Sequence, residues 1–127
     1  MQTVLVAEDD GVLFDALERL LRDEGYEVVG VRNVEAAMRL LETCVVDGAL
    51  VDWRLGTQWS DSLIELLLGQ GVTVILLSGH PEARELADSF GIPCVHKPFV
   101  VEQLLGILGG AITRRTLRKI PSVWPTR

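Results

Sequence analysis

Five side chains in this sequence have types that combine into one chemistry: the acids Glu8, Asp9 and Asp52, the hydroxyl of Ser78 and the amine of Lys97. If the three carboxylates converge to about 4 Å, each pair of negative charges costs about 4 kcal/mol at an effective dielectric near 20, so a cation must neutralise them. Hard oxygen ligands without histidine or thiolate suit Mg²⁺, which binds through one or two carboxylates, several waters and a phosphate. A carboxylate can itself attack phosphorus and form an aspartyl phosphate. Asp52 is the candidate nucleophile, with the phosphoryl oxygens shared among Mg²⁺, the Lys97 ammonium and the Ser78 hydroxyl. Such catalysis is positioning and charge neutralisation. Taken singly, Glu8 and Asp9 would merely favour a helix dipole, Ser78 would be a turn hydroxyl and Lys97 a surface charge. Their roles stand together. Asp10 is different and reads as a solvated helix cap.

Placing these residues side by side requires a particular alternation of elements. Thr3–Ala7 is a short, β-branched apolar run of the kind buried on both faces of a parallel sheet. The period then changes: Leu13, Ala16, Leu17, Leu20 and Leu21 make one helical face, which Gly25 ends. Tyr26–Val31 reads as a strand, and Asn33 caps a helix that buries Val34, Ala37, Met38 and Leu41. Gly48–Asp52 is a strand, Arg54–Ser60 a loop and Asp61–Leu68 a helix. Val72–Leu77 is a strand, and Pro81 is expected at the first position of a helix burying Ala83, Leu86, Ala87 and Phe90. Pro93–His96 is the last strand, and Val101, Leu104, Leu105, Leu108 and Ile112 form the last helical stripe. The pattern is (βα)₅, which implies a doubly wound parallel sheet with right-handed crossovers. Ligands of such sheets sit beyond the carboxyl ends of the strands, where strand order reverses. Glu8 and Asp9 follow the first strand, Asp52 ends the third, Ser78 follows the fourth and Lys97 the fifth.

Composition fits one water-soluble domain. The 127 residues are 48% hydrophobic and 24% charged, and the longest strictly apolar runs, Val4–Ala7 and Val74–Leu77, fall far short of the roughly 20 residues of a membrane span. The N-terminus has neither the basic region nor the long apolar stretch of a signal peptide, so a cytoplasmic location is expected. Cys44 and Cys94 cannot build a disulfide framework or a four-ligand metal site, and buried free thiols are expected. The net charge of −6 hides a split: residues 113–127 carry five basic side chains and no acid, leaving seven basic against eighteen acidic side chains elsewhere. An acidic body repels phosphodiester backbones, so the domain itself is not expected to bind nucleic acid. The basic tail reads as the end of the last helix or as a solvated, disordered segment, with Pro121 and Pro125 stopping any helix.

The strings VLVAEDD, ALVDWRLG, VILLSGHPE and VHKPF, in that order along almost the whole chain, resemble the receiver domain of two-component response regulators. The resemblance implies a flavodoxin-like, CheY-like α/β fold over residues 1–112 with strand order 2-1-3-4-5. It implies that Glu8 and Asp9 hold Mg²⁺ and that Asp52 is the phosphoacceptor and a metal ligand. It also makes the backbone carbonyl of Arg54 a further ligand, pairs Ser78 and Lys97 with the phosphoryl group and makes the Lys97–Pro98 bond cis. The residue three before the lysine, usually an aromatic switch, is Cys94 here, and LGTQWSD replaces the usual Pro-Gly turn after the acceptor strand. Arg54 and His80, two positions beyond Asp52 and Ser78, fall where the family tunes phosphoryl hydrolysis, or else face solvent. Trp53 and Trp59 read as packing or loop anchors ahead of partner contacts.

The expected activity is Mg²⁺-dependent acceptance of a phosphoryl group from a histidine kinase or a histidine phosphotransfer protein, followed by slow autodephosphorylation. A protein of this kind catalyses its own phosphotransfer and is not a conventional enzyme. Residues after 112 are too few to fold alone, so output would be protein binding, as a monomer or weak homodimer with no membrane contact, or a phosphate sink. A receiver cut from a hybrid histidine kinase is the alternative. An aspartyl-phosphate hydrolase would want a carboxylate where Arg54 stands. A flavodoxin-like ligand binder would want a phosphate loop after the first strand, and neither G-x-G-x-x-G nor G-x-x-x-x-G-K-[ST] occurs there.

Overall fold

The structure, a computed structural model, describes residues 2–99 and 101–118, with Val101 and the stretch from 112 onward described as backbone, so the Val101 and Ile112 side chains of the expected last stripe lie outside the described ones. Its elements are β1 (Thr3–Ala7), α1 (Gly11–Asp23), β2 (Glu27–Val31), α2 (Val34–Thr43), β3 (Gly48–Asp52), β4 (Arg54–Leu55) and β5 (Gln58–Trp59). They continue with α3 (Asp61–Gly69), β6 (Thr73–Ser78), α4 (Ala83–Phe90), β7 (Cys94–His96) and α5 (Val101–Arg118). Five strands form one parallel sheet in the order β2-β1-β3-β6-β7, which is the expected 2-1-3-4-5 order once the small β4-β5 hairpin is set aside.

Side-chain alternation along the strands divides the interior in two. Leu5, Ala7, Ala49, Val51, Val74 and Leu76 point to the face covered by α2, α3 and α4, where Ala37, Leu41, Leu63, Ile64, Leu67, Ala83 and Ala87 meet them. Val4, Val6, Leu50, Ile75 and Leu77 point to the opposite face, against Leu17 and Leu21 of α1 and Leu104 and Leu108 of α5. Because both faces are covered, the central strands read as continuous apolar runs. Helix ends follow local chemistry. Asp10 caps α1 by accepting the amides of Val12 and Leu13, Asn33 caps α2 by accepting that of Ala36, and Gly25 after α1 takes φ +92°.

Three expectations are corrected. Pro81 does not open α4; it lies in a turn in which the Ala83 amide donates to the His80 carbonyl, so the helix starts at Ala83. The segment expected as a loop over 54–60 contains a hairpin, with Arg54 opposite Trp59 and Leu55 opposite Gln58. The two free cysteines are half-buried rather than buried. The helical backbone of α5 reaches Arg118, into the expected basic tail, and residues 119–127 of that tail lie outside the described residues. Among the described residues no helix is long and apolar enough to cross a membrane.

Candidate functional site

Strand register brings the proposed residues to one edge. Ala7 stands opposite Val51, Asp52 opposite Leu77 and Ser78 opposite His96, so Glu8 and Lys97, each one residue further on, emerge at the same end of the sheet. β1 pairs with both β2 and β3, so strand order reverses there, and a doubly wound sheet opens its crevice at that point. Asp10 takes the capping task, which leaves Glu8 and Asp9 free of it. The Glu8 amide donates to the Val31 carbonyl, and its Oε2 accepts the Asp10 amide at 3.1 Å.

Glu8 has no exposed surface and Asp52 only 7%, whereas Asp9 is exposed. Lys97 Nζ donates to Glu8 Oε1 at 2.6 Å and to Asp52 Oδ2 at 2.8 Å. The Lys97–Pro98 peptide is cis, as the resemblance implied. Burial pushes Glu8 up from 4.5 to about 7, even though the hydrogen bond from Lys97 works to lower it. Burial pulls the Lys97 amine down, but its hydrogen bonds to Asp52 and Glu8 outweigh that, and it stands above its ordinary value. One ammonium thus bridges two acids. Glu8, Asp9 and Asp52 each offer an oxygen within 4.8 Å of the others, so the cluster can hold a metal ion. The donors are carboxylates without imidazole or thiolate, the set that a hard divalent cation prefers.

Ser78 is buried, and its Oγ accepts the His80 amide at 2.9 Å. That bond occupies the oxygen and leaves the hydroxyl hydrogen available. Arg54 is exposed; its guanidinium lies 4.7 Å above the Trp59 ring and its Nε donates to the Gly56 carbonyl. The Trp53 ring meets Trp59 at 4.7 Å and His80 at 4.9 Å, and Trp53 Nε1 donates to Asp61 Oδ1 at 2.8 Å. Trp53 is therefore an anchor, whereas Trp59 remains 44% exposed. Cys94 begins β7, and burial raises its thiol.

Sequence reading missed two connections. Asp9 Oδ2 accepts the amide of Gly56, 47 residues away, at 3.1 Å. Ser60, fully buried, donates its hydroxyl to the carbonyls of Asp52 and Trp53. A signal for the first was present: Gly56-Thr57 is a two-residue loop with glycine first, at φ +62°, which is a hairpin signature.

The family profile described as the response regulator receiver domain matches residues 4–108. Among curated proteins the chain is 32% identical over 107 residues to the transcriptional regulatory protein AruR of Pseudomonas aeruginosa, covering 80% of this chain and 43% of that protein. It is 27% identical over 109 residues to the heme response regulator HssR of Staphylococcus saprophyticus, covering 83% of this chain and 49% of that one. The chain thus spans about half the length of these curated relatives or a little less. Its fold is similar to a CheY-like receiver domain protein from Methanospirillum hungatei, with a TM-score of 0.85, 22% identity and coverage of 93% and 98% of the two chains. The receiver domain of the Francisella response regulator 1452 gives 0.78 and 24%, covering 90% and 98%.

Proposed function

Because this chain belongs to the response regulator receiver domain family of two-component systems, we propose that it accepts a phosphoryl group on Asp52 from a phosphohistidine of a histidine kinase or histidine phosphotransfer protein. The observation that carries this reading is the Lys97 ammonium, which bridges Glu8 Oε1 at 2.6 Å and Asp52 Oδ2 at 2.8 Å. The acceptor, one acid of the cation cluster and the amine suited to a phosphate oxygen meet at one point.

In this reading an Asp52 oxygen forms the new P–O bond while the P–N bond to the donor imidazole breaks, and the departing imidazole takes up a proton. Glu8, Asp9 and Asp52 would hold Mg²⁺, with the Arg54 carbonyl as a further ligand, and the ion would supply positive charge to offset that of the phosphoryl oxygens. Lys97 turns from Asp52 toward a second phosphoryl oxygen. Ser78, whose oxygen is engaged by the His80 amide, gives its hydrogen to a third. Attack of water on phosphorus later restores the Asp52 carboxylate, so the chain serves both of its own half-reactions. Residues 1–112 form the working unit and 113–127 a basic appendage. Output passes to another protein, or the chain drains phosphoryl groups from a shared kinase, in a cytoplasmic setting.

The test is incubation with acetyl phosphate and Mg²⁺ followed by intact mass measurement. A phosphate adduct is expected on the unaltered chain and none on Asp52→Asn. An adduct of equal abundance on Asp52→Asn would move the acceptor elsewhere.

A further inference from the structure

The chemistry above leaves Ser60 without a role, although it is a fully buried polar side chain next to the acceptor. Ser60 stands at the cap position of α3, where a hydroxyl would normally accept a helix amide, yet it makes no capping bond. Its hydroxyl turns back to the end of β3, 2.8 Å from the Asp52 carbonyl and 3.0 Å from that of Trp53, and its amide also donates to the Trp53 carbonyl. The Trp53 amide donates to the Leu77 carbonyl at 3.1 Å, and just past this rung the Ser60 hydroxyl takes over. Forgoing a cap costs about 1 kcal/mol, so the local sequence spends on the acceptor strand what it withholds from the helix.

The same bonds close the base of the β4-β5 hairpin. Its tip is Gly56, whose amide holds Asp9 Oδ2 at 3.1 Å, and the Gly56 carbonyl is held in turn by Arg54 Nε. One excursion of the chain, fastened at its base by Ser60, therefore orients two carboxylates that come from different strands.

We propose that Ser60 is a positioning residue for the cation and phosphoryl chemistry. It clamps the hairpin base, fixes the Asp52 main chain and, through the Gly56 tip, aims the Asp9 carboxylate. This rests on the reading of Glu8, Asp9 and Asp52 as the cation site.

The experiment titrates tryptophan emission of the full chain with Mg²⁺ alone, in the unaltered protein, Ser60→Ala, Ser60→Thr and Leu67→Ala. The last weakens the α3 core without touching the site. Ser60→Ala is expected to raise the Mg²⁺ midpoint about 10-fold, the low end of what losing an orienting partner of a metal ligand costs. Ser60→Thr keeps the hydroxyl and is expected to recover most of that loss. Leu67→Ala, though less stable in urea, keeps the original midpoint. An unchanged midpoint in Ser60→Ala overturns the inference, and so does an equal rise in Leu67→Ala, which would tie Mg²⁺ affinity to overall stability. If the unaltered chain shows no Mg²⁺ response in emission or in urea stability, the cation site falls and the inference with it, and then no variant differs from any other. Should Ser60→Ala not fold, Ser60→Cys, which fills the space with a weak donor, is read by the same criteria.

Discussion

Replacing Glu8 by glutamine should make this protein more stable, and only on the alkaline side. The Glu8 carboxyl is raised by burial to about 7, whereas in the unfolded chain it titrates near 4.5. Between those values the folded protein keeps a proton that the unfolded chain has released. Stability present below about 4.5 is therefore lost as pH rises through about 7, at up to about 1.4 kcal/mol per pH unit. Accumulated over that window, the loss is about 3 kcal/mol. Glutamine has the shape of the protonated acid and cannot ionise, so the variant escapes it. The opposing hydrogen bond from Lys97 is already contained in the net shift, and Lys97 keeps Asp52 as a partner. Urea unfolding followed by circular dichroism, run in chelator at pH 5 and pH 8, should give Glu8→Gln a lead of less than about 1 kcal/mol at pH 5. At pH 8 Glu8→Gln should lead by about 3 kcal/mol, about a fifth to three-fifths of the stability of an ordinary domain. Millimolar Mg²⁺ at pH 8 should stabilise the unaltered chain more than the variant, narrowing the gap, because binding to the folded state alone adds stability by mass action. A stability difference that is the same at pH 5 and pH 8 would refute the reasoning, since it would show that Glu8 ionises at no cost in the folded protein.

Two further perturbations probe other parts of the structure. Lys97→Met leaves the buried Glu8 and Asp52 without their ammonium and should cost about 3 to 5 kcal/mol in urea at pH 8 and less at pH 5, where Glu8 can be protonated; a loss equal at both values would contradict the ion-pair account. Gly30→Ala would place a Cβ 2.0 Å from the tip of the Phe14 ring, a ring that also lies under the Arg32 guanidinium, so about 1 to 3 kcal/mol of destabilisation is expected in urea, relieved in the Gly30→Ala, Phe14→Ala double variant.

What could be read in advance, and what could not, divides along the range of the interactions. The sheet was legible because each strand announces itself within three to six residues and each candidate side chain sits at or just past a strand end, so the positions of Glu8, Asp52, Ser78 and Lys97 in the fold followed from local pattern. The helix caps Asp10 and Asn33 were legible for the same reason: their partners lie two or three residues away. Pro81 misled because the same fixed φ suits a helix start or a turn, and the choice fell to the Ala83 amide bonding to His80. Ser60 before Asp61 looks like any serine entering a helix; only the path of the chain brings the Asp52 carbonyl to its hydroxyl. The bond between Asp9 and Gly56 joins the loop after β1 to the hairpin tip; the glycine of the Gly56-Thr57 turn hints at the hairpin, but nothing local names its partner. Cys94 reads as a small buried hydrophobe by type, but it opens a three-residue strand at the sheet edge, where cover is incomplete.

The energetic logic of the site follows from these placements. Folding puts a fully buried carboxylate, a nearly buried one and an exposed one within 4.8 Å of each other and supplies one ammonium. Apolar strands on both faces hold them there, because Leu5, Val6, Leu50, Val51, Ile75 and Leu76 are completely covered and cannot yield without opening the core. The cost of burying these carboxylates, to which their mutual repulsion adds, is therefore stored rather than relaxed, and it is largest at the pH where Glu8 has lost its proton. A cation that neutralises this charge would stabilise the folded state by mass action, by an amount set by its concentration and its dissociation constant. Affinity for such a ligand and low intrinsic stability would then share one cause, the buried negative charge. This is why the substitution that removes the buried charge, Glu8→Gln, must trade ligand response for stability, and why a gain in stability without a loss of Mg²⁺ response would contradict the site as a whole.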